Sequence, residues 1–309
     1  MDIATMPRPQ RAPESIDGFL ARHHAVVVDV LPGAAPATRR LLVGHGDGPT
    51  VTHAIAVSTD GSTLPLDTEE QVLGVVPRLP GELARTMPRV VGRVRMTTDQ
   101  EGLAVTAVPG LGPSTPGTPR VRAGQLLLQV SDWLALLWRE SATGESSATL
   151  ATSTLPAFLQ RYGDSLRLRS AHLQLQAAHD RVAQFSTGCT VGHGCLCARH
   201  VKIGGDRVVG VDDWTLGSVS ANPLLDLGGF ASRLAGSRLP EVLAGRTSHA
   251  AMYRQFVASG LSRLGLPRSL WRDVLLLAHF EIAYAALERG EPDQIGSLMA
   301  AVSGLGGRP

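Results

Sequence analysis

The stretch of sequence that decides the fold is residues 193–214, HGCLCARHVKIGGDRVVGVDDW, which is followed at 221–230 by ANPLLDLGGF. It opens on a His-Gly pair. Two β-branched runs, HVKI and RVVGV, then flank the short segment GGD, a composition that predicts a strand, a tight turn and a second strand. The acidic pair Asp212-Asp213 follows the second strand directly. The pattern therefore predicts a small hairpin with polar residues at both ends.

The same region holds every cysteine of the chain, and this allows several interpretations. Cys189, Cys195 and Cys197 lie close to His193 and His200. A zinc site formed by Cys189, Cys195, Cys197 and His200 has suitable ligand types, but the spacing lacks the paired Cys-x-x-Cys of structural zinc. Cys195 could instead be a catalytic thiol with either histidine as its base, or a small residue that fills space. We interpret Cys197 as a packing residue, and a Cys195–Cys197 disulfide is disfavoured because the two side chains would point to opposite sides of an extended chain.

The first third of the chain predicts a sheet. β-Branched runs at 24–32, 39–46 and 51–58 predict three antiparallel strands, with a hairpin turn at Asp47-Gly48. A short helix within 67–79 should follow, capped by Asp67 or Thr68, and then two more strands at 89–98 and 102–108. Residues 1–15 are expected to be a disordered leader, so 16–108 becomes a lobe of five antiparallel strands and one helix.

The rest of the chain has a different character. Residues 109–122 contain four prolines and three glycines, which predicts an extended hinge or linker. Residues 123–309 then predict a helical lobe that carries the hairpin, with the segment 269–290 as its most apolar helix. Two lobes that meet at a hinge form a cleft, which is a common place for a ligand.

Composition excludes some classes of protein. The 29 basic and 27 acidic residues are evenly mixed and give a net charge of +2, so no nucleic-acid partner is expected. No apolar run reaches the roughly 18–20 residues that cross a membrane, and the first residues lack the apolar centre of a signal peptide. We therefore expect a cytoplasmic protein without membrane contact. Lys202 is the only lysine, so lysine chemistry is nearly absent; this arginine bias suggests a GC-rich bacterial source.

Residues 193–227 resemble the core of the aminoglycoside phosphotransferase and choline kinase-like family. That family reads His-Gly-Asp, four residues, Asn, a hairpin, then Asp-Trp, and later Asp-Pro and a further Asp. Here His193-Gly194, Asp213-Trp214, and Pro223 with Asp226 match at the same spacing. The resemblance implies an α+β, bilobal protein-kinase-like fold, with an antiparallel β-lobe before a larger helical lobe.

The resemblance also assigns roles to residues, and several of them have changed. Cys195 stands where the catalytic Asp is expected, and His200 stands where a metal-binding Asn is expected, while Asp213 keeps the second metal position. A thiol is a poor proton acceptor for an alcohol, and imidazole is a poor Mg²⁺ ligand. His193 is implied to anchor the loop, Asp226 to hydrogen-bond backbone beside it, and Trp214 to pack beneath the site.

The N-terminal lobe shows a further loss. Ala56 aligns with the family's phosphate-holding lysine, so the helix carboxylate, Glu69 or Glu70, is implied to have lost its partner. An active enzyme would need an arginine or His53 in place of that lysine. Ala107 and Val108 are the implied hinge residues beside the nucleotide. The loop PGAAPA has one glycine, Gly33, and is weak support for phosphate binding.

These losses predict a pseudokinase that binds a peptide or a partner protein. The expected setting is bacterial specialised metabolism, such as maturation of lanthipeptide-like precursor peptides. The alternative is an active phosphotransferase that uses ATP and Mg²⁺ on a peptide or small-molecule hydroxyl, with Asp213, and His200 in place of Asn, holding the metal. The altered residues argue against both cofactors. The arginines within 161–169, together with Arg199, Arg207 and Arg233, could bind an acidic peptide or a phosphate, although scattered arginines usually lie on a solvated surface.

Overall fold

A computed structural model describes residues 13–45, 50–110, 122–144, 146–147, 150, 154–162, 169–245, 247–288, 296 and 298–302. The chain is α+β, with a sheet in its N-terminal part and a larger helical C-terminal part, as the sequence predicts. Most of the leader, the turn at Asp47-Gly48 and most of the linker 109–122 lie outside the described residues. No described helix is both long and apolar enough to cross a bilayer.

The N-terminal lobe is built on a mixed sheet. Among the described residues its strands run in the order β1-β5-β6-β4-β3-β2, where the strands are β1 Glu14–Ser15, β2 Val26–Pro32, β3 Thr38–Gly44, β4 Val51–Ser58, β5 Val90–Arg95 and β6 Glu101–Thr106. The five longer strands pair antiparallel, as predicted. The sheet differs from prediction at its edge, because Glu14 and Ser15 at the end of the expected leader pair in parallel with β5.

Three helices accompany this sheet: α1 Ile16–Arg22, α2 Leu64–Leu73 and the one-turn α3 Gly81–Ala84. Helix α1 was not predicted; Ser15 caps it by accepting a hydrogen bond from the Gly18 N–H. Helix α2 begins earlier than predicted. Thr63 rather than Asp67 or Thr68 precedes its first turn, which contains Pro65, a residue suited to that position. The consequence is that Glu69 lies in the middle of α2 and is fully buried.

The C-terminal lobe is mainly helical. Its helices are α4 Ala123–Ser141, α5 Thr154–Tyr162, α6 Arg169–Val182, α7 Pro223–Ala235, α8 Leu239–Ala244, α9 Ser248–Arg263 and α10 Trp271–Glu288. Its short strands are β7 Ser146–Ser147, β8 Thr187–Gly188, β9 Thr190–Gly192, β10 Val201–Gly204, β11 Arg207–Val211 and β12 Ser218–Ala221. Strands β10 and β11 form the predicted hairpin, β9 pairs with β12, and β7 pairs with β8.

One large core joins the two lobes. It includes Ala56 and Leu103 from the sheet, Val72 from α2, and Trp133 and Trp214 from the C-terminal lobe. A second, smaller core forms on the other face of the sheet, where Phe19 of α1 packs against Ile55 and Ala104. Burial of apolar surface of this extent is the main stabilising contribution. Because the larger core crosses from one lobe to the other, the residues at their junction are held in fixed positions.

Candidate functional site

A buried arginine of the N-terminal lobe, Arg40, lies on β3. In the sheet register Arg40 is the direct partner of Ala56 on β4, so the two side chains share one face. Arg40 is buried and forms an ion pair with Glu69 of α2. Its Nε also lies 3.3 Å from Asp213 Oδ1. The expectation that the helix carboxylate has lost its partner is therefore wrong: Arg40, on the strand next to Ala56, pairs with Glu69.

The other predicted carboxylate, Glu70, is not part of this cluster. Its side chain pairs with Arg93 of β5 at 2.7 Å and remains partly exposed. Glu69 instead receives a second hydrogen bond, from the Trp214 backbone N–H at 3.1 Å. Glu69 is thus the carboxylate that connects α2 with the segment after β11.

Three buried charges determine the electrostatics of the junction. Burial lowers the pKa of Arg40, but Glu69 and Asp213 more than reverse this effect, so the guanidinium stays charged. Burial raises the pKa of Glu69 despite the opposing influence of Arg40. For Asp213, burial acts upward, while Arg40 and the hydrogen bond from Thr215 bring the pKa below its ordinary value. Asp213 is therefore a carboxylate at neutral pH.

The loop between β2 and β3 packs directly onto Asp213. The Ala34 N–H donates to Asp213 Oδ2 at 2.7 Å, and the Ala35 N–H donates to Thr215 Oγ1 at 3.2 Å. Thr215 in turn donates to Asp213 Oδ1 at 2.8 Å. A side chain at Gly33 would place its Cβ 2.1 Å from Thr38 Oγ1, so this turn of the loop requires glycine. Both oxygens of Asp213 thus accept hydrogen bonds from the protein itself.

Backbone conformation separates Asp213 from its neighbour. Asp213 has a φ of +63°, a left-handed conformation that is uncommon outside glycine. Asp212 points away from the site and forms an ion pair with Lys202 at 2.9 Å. The only lysine of the chain is therefore occupied at the hairpin. Trp214 is completely buried, and the centroid of its ring lies 4.9 Å from the centroid of the His193 ring.

His193 and Asp226 hold the loop that follows β9. Asp226, near the start of α7, accepts hydrogen bonds from the His193 N–H at 2.6 Å and from the Gly194 N–H at 3.0 Å. The prediction that Asp226 binds backbone near this loop is confirmed. His193 Nε2 lies 2.8 Å from the Asp212 carbonyl, to which it donates, and His193 Nδ1 accepts from the Cys195 N–H at 3.3 Å. The ring therefore links the loop to the end of β11.

Cys195 follows this anchored turn and is partly exposed. Burial, the largest influence, raises the pKa of its thiol, with Arg233 and Arg199 acting in the opposite direction. The thiol is consequently protonated at neutral pH. The rings of His193 and His200 contact the Cys195 backbone N–H and carbonyl, and no described contact joins either ring to its sulfur. This geometry gives no support to an activated thiol nucleophile.

His200 is buried and neutral. Burial, followed by the nearby His193, lowers its pKa to about 2. Its Nδ1 donates to the Cys195 carbonyl at 3.1 Å, and its Nε2 accepts from Arg199 Nε at 2.9 Å. It stacks on His193 with ring centroids 5.0 Å apart. The lone pair that could bind a metal is therefore engaged with Arg199.

The donor set does not fit ATP with Mg²⁺. Magnesium prefers several hard oxygen ligands, but the oxygens of Asp213 accept from Ala34 and Thr215, and His200 offers a nitrogen that is already engaged. The N–H of Ala34 is likewise committed to Asp213. A metal here would have to displace several internal hydrogen bonds.

The structure also bears on the zinc interpretation of the cysteine-rich segment. Among the described residues no group of three or more His, Cys, Asp or Glu side chains could hold a metal ion, which leaves the zinc interpretation without a site. The three cysteines are free thiols, and Cys197 Sγ lies 3.6 Å from His200 Nδ1.

The implied hinge residues follow β6: Ala107 donates its N–H to the Thr52 carbonyl at 2.8 Å, and Val108 lies against Gly210.

Arg40 is a buried site residue that the sequence alone did not single out. The sequence RRLLVG does place two arginines, Arg39 and Arg40, beside an apolar run in a strand. A buried arginine requires a carboxylate partner. What the sequence could not supply was the register that places residue 40 opposite residue 56.

The arrangement of lobes and the anchored loop define the bilobal fold of the aminoglycoside phosphotransferases, a protein-kinase-like fold. The structure matches aminoglycoside phosphotransferase APH(4)-Ia with a TM-score of 0.61 and 12% identity, over 95% of this chain and 99% of that one. It matches macrolide 2'-phosphotransferase MphH from Brachybacterium faecium with a TM-score of 0.60 and 17% identity, over 92% and 95% of the two chains.

A third similar structure is the GDP complex of aminoglycoside 2'-phosphotransferase-IIIa, with a TM-score of 0.59 and 14% identity over 90% and 92% of the two chains. No protein-family model matches this chain, and no curated protein does. At these identities the similarity concerns the fold. The chemistry must be argued from the residues of this chain.

Proposed function

We propose that the chain is a pseudokinase: a phosphotransferase-like protein that acts by binding a peptide or protein partner and not by phosphoryl transfer. The observation that carries the proposal is the closed state of Asp213, whose Oδ2 accepts from the Ala34 N–H at 2.7 Å. In this state the Ala34 N–H of the loop and the Asp213 carboxylate satisfy each other's hydrogen-bonding capacity. The expected setting remains bacterial specialised metabolism, where a binding subunit of this kind would present a substrate peptide to a separate enzyme.

The chemistry of the second lobe supports the same proposal. Transfer to a hydroxyl needs a group that orients the nucleophile and accepts its proton. Cys195 occupies that position with a protonated thiol. His200 cannot substitute as the base, because Arg199 uses its Nε2 lone pair and burial keeps its pKa near 2. The three positions that would do the chemistry therefore lack a proton acceptor and a free metal ligand.

One observation favours an active phosphotransferase as a second candidate. The ion pair between Arg40 and Glu69 preserves the cation–carboxylate pair of the fold. Arg40 Nη1 is also buried, without a hydrogen-bond partner among the described residues. If the loop opened, this nitrogen could donate to a phosphate oxygen. The two candidates differ in whether the loop opens when nucleotide is present.

Calorimetric titration with ATP and with GTP, each with and without Mg²⁺, distinguishes the candidates. The pseudokinase proposal predicts no magnesium-dependent binding by the wild type and the same result for Asp213→Asn. Magnesium-dependent binding that Asp213→Asn abolishes would overturn the proposal in favour of the second candidate. Asp132→Asn is the matched control, because Asp132 is an exposed carboxylate that pairs with Arg263 on the surface.

A further inference from the structure

The loop around Cys195 carries an unusual distribution of charge. In the fold's active relatives this position is expected to hold a carboxylate, but here it holds a neutral thiol. Two arginines flank it: Arg199 is exposed and Arg233, on α7, is partly buried. Lys202 and Asp212 neutralise each other nearby, and Arg40 faces the carboxylates of Glu69 and Asp213. Cys195 is therefore a neutral group with two positive charges beside it.

Hydrogen bonds place both arginines against the same short segment. Arg199 Nε donates to His200 Nε2 at 2.9 Å, and the other nitrogen of that ring donates to the Cys195 carbonyl. Arg233 Nη1 lies 3.5 Å from the Leu196 carbonyl, the next residue along the chain. The opposing influence of both guanidiniums on the pKa of the Cys195 thiol agrees with this placement.

Neither guanidinium has a carboxylate within ion-pair distance in the part of the chain that the structure describes. Buried or partly buried arginines usually find such a partner. Arg199 uses only its Nε in the contact with His200, so its two terminal nitrogens remain able to form the forked pair that suits a carboxylate or a phosphate. Two arginines beside a protonated thiol form a surface of hydrogen-bond donors.

We propose that Arg199 and Arg233 form a binding site for a phosphate monoester carried by a peptide, centred on Cys195. Two guanidiniums match the double negative charge of a phosphate monoester better than the single charge of a carboxylate. A catalytic carboxylate at this position would repel such a group, whereas Cys195 does not. The proposal rests on the proposed function and names its ligand: the loop recognises a hydroxyl that another enzyme has already phosphorylated.

Fluorescence anisotropy with a labelled Ala-phosphoserine-Ala peptide tests this site. We expect saturable binding that weakens as salt rises and that is absent for the unphosphorylated peptide. Arg199→Gln and Arg233→Gln should each weaken binding about tenfold, which corresponds to one charge-assisted hydrogen-bonded pair. Arg207→Gln is the matched control, since Arg207 is an exposed arginine at the start of β11, and it should change affinity less than about twofold.

Cys195→Asp provides a second arm, because it returns a carboxylate to the loop and should abolish binding without removing either arginine. Thermal unfolding of each variant shows whether it is folded; Arg199 is exposed, so Arg199→Gln remains a usable test in any case. Equal losses for Arg207→Gln and Arg199→Gln, or no dependence on the phosphate, would overturn the site. Competition by inorganic phosphate at the same concentration as the peptide would overturn the assignment to a peptide.

The outcome is independent of the nucleotide titrations. Magnesium-dependent nucleotide binding that Asp213→Asn abolishes would contradict the proposed function. Absence of phosphopeptide binding, or binding that Arg199→Gln and Arg233→Gln leave unchanged, would contradict this site. A chain that binds Mg²⁺-nucleotide could still bind phosphopeptide, and the reverse also holds.

Discussion

Arg40 and Ala56 are direct partners across β3 and β4, so the cation that pairs with Glu69 comes from β3, while β4 has an alanine at the facing position. Arg40 reaches Glu69 from this position and closes on Asp213 as well. A guanidinium offers more donors than an ammonium group and holds them in a plane, so one side chain can serve both carboxylates. The result is a junction in which one buried guanidinium pairs with two buried carboxylates, while its Nη1 has no hydrogen-bond partner among the described residues.

Removal of Arg40 should destabilise the protein strongly. Arg40→Ala leaves Glu69 fully buried with an uncompensated charge, and loss of one partner of a buried pair costs about 3–5 kcal/mol. The double variant Arg40→Met with Glu69→Met should recover part of that stability, because buried Asp213 still lacks its cation. Chemical denaturation measures the free energy of unfolding.

The matched control for this prediction is Arg139→Ala, because Arg139 pairs with Glu140 on the surface and its side chain is 71% exposed. It should change the free energy of unfolding by less than about 1 kcal/mol. Equal effects of Arg40→Ala and Arg139→Ala would contradict the buried charge cluster.

His200 should make stability depend on pH. The folded protein does not protonate His200 until pH is near 2, whereas the unfolded chain takes up a proton near pH 6.5. The unfolded state therefore binds more protons than the folded state below pH 6.5. As the pH is lowered below 6.5, the free energy of unfolding decreases by up to about 1.4 kcal/mol per pH unit. His200→Gln should flatten the profile between pH 6.5 and 5.

The control for the pH profile is His249→Gln, since His249 lies exposed near the start of α9. That variant should keep the wild-type slope. A His200→Gln profile parallel to the wild type would show that His200 is not buried and neutral.

Gly194 and Gly205 form a matched pair for the loop geometry. Both have a left-handed φ, +77° and +66°, but a Cβ at Gly194 would lie 2.0 Å from the Leu216 carbonyl oxygen, whereas Gly205 has open space. Gly205→Ala should cost about 1–2 kcal/mol from conformation alone. Gly194→Ala should cost clearly more, as measured by urea denaturation, and equal costs would contradict the close contact.

Asp226 should be needed for the loop to fold. Asp226→Ala removes the acceptor from two backbone N–H groups, of His193 and Gly194, and each buried donor left unpaired costs about 1–3 kcal/mol. Thermal unfolding should show a marked decrease in midpoint. Asp132→Ala, on the exposed side of α4 with 77% of its side chain accessible, should leave the midpoint nearly unchanged.

The fold could be predicted from the sequence because its most informative segment is local. The hairpin of β10 and β11 and the residues on either side lie within about forty positions, and β-branched runs located the five long strands. Helix α1 was missed because it is only seven residues long, too short for a helical period to be recognised.

The site was only partly predictable, because its decisive contacts are distant in sequence. Ala34 and Asp213 are 179 residues apart. Because every residue except proline has a backbone N–H, the residue type at position 34 does not indicate that this N–H donates to Asp213. Arg40 carries a recognisable side chain, but its role depends on the register of two strands. The changes at Cys195 and His200, in contrast, could be interpreted from spacing alone, and the structure adds the protonation states of both residues.

Hydrogen exchange at the Ala34 amide tests the central claim most directly, because this N–H donates to the carboxylate that would otherwise bind metal. The measurement compares the exchange rates of Ala34 and Ala35 by NMR in the free protein and with excess ATP and Mg²⁺. A closed pseudokinase site predicts slow exchange at both amides and no change on addition of nucleotide. Exchange as fast as in an unprotected loop, or a change in rate caused by Mg²⁺-ATP, would contradict it.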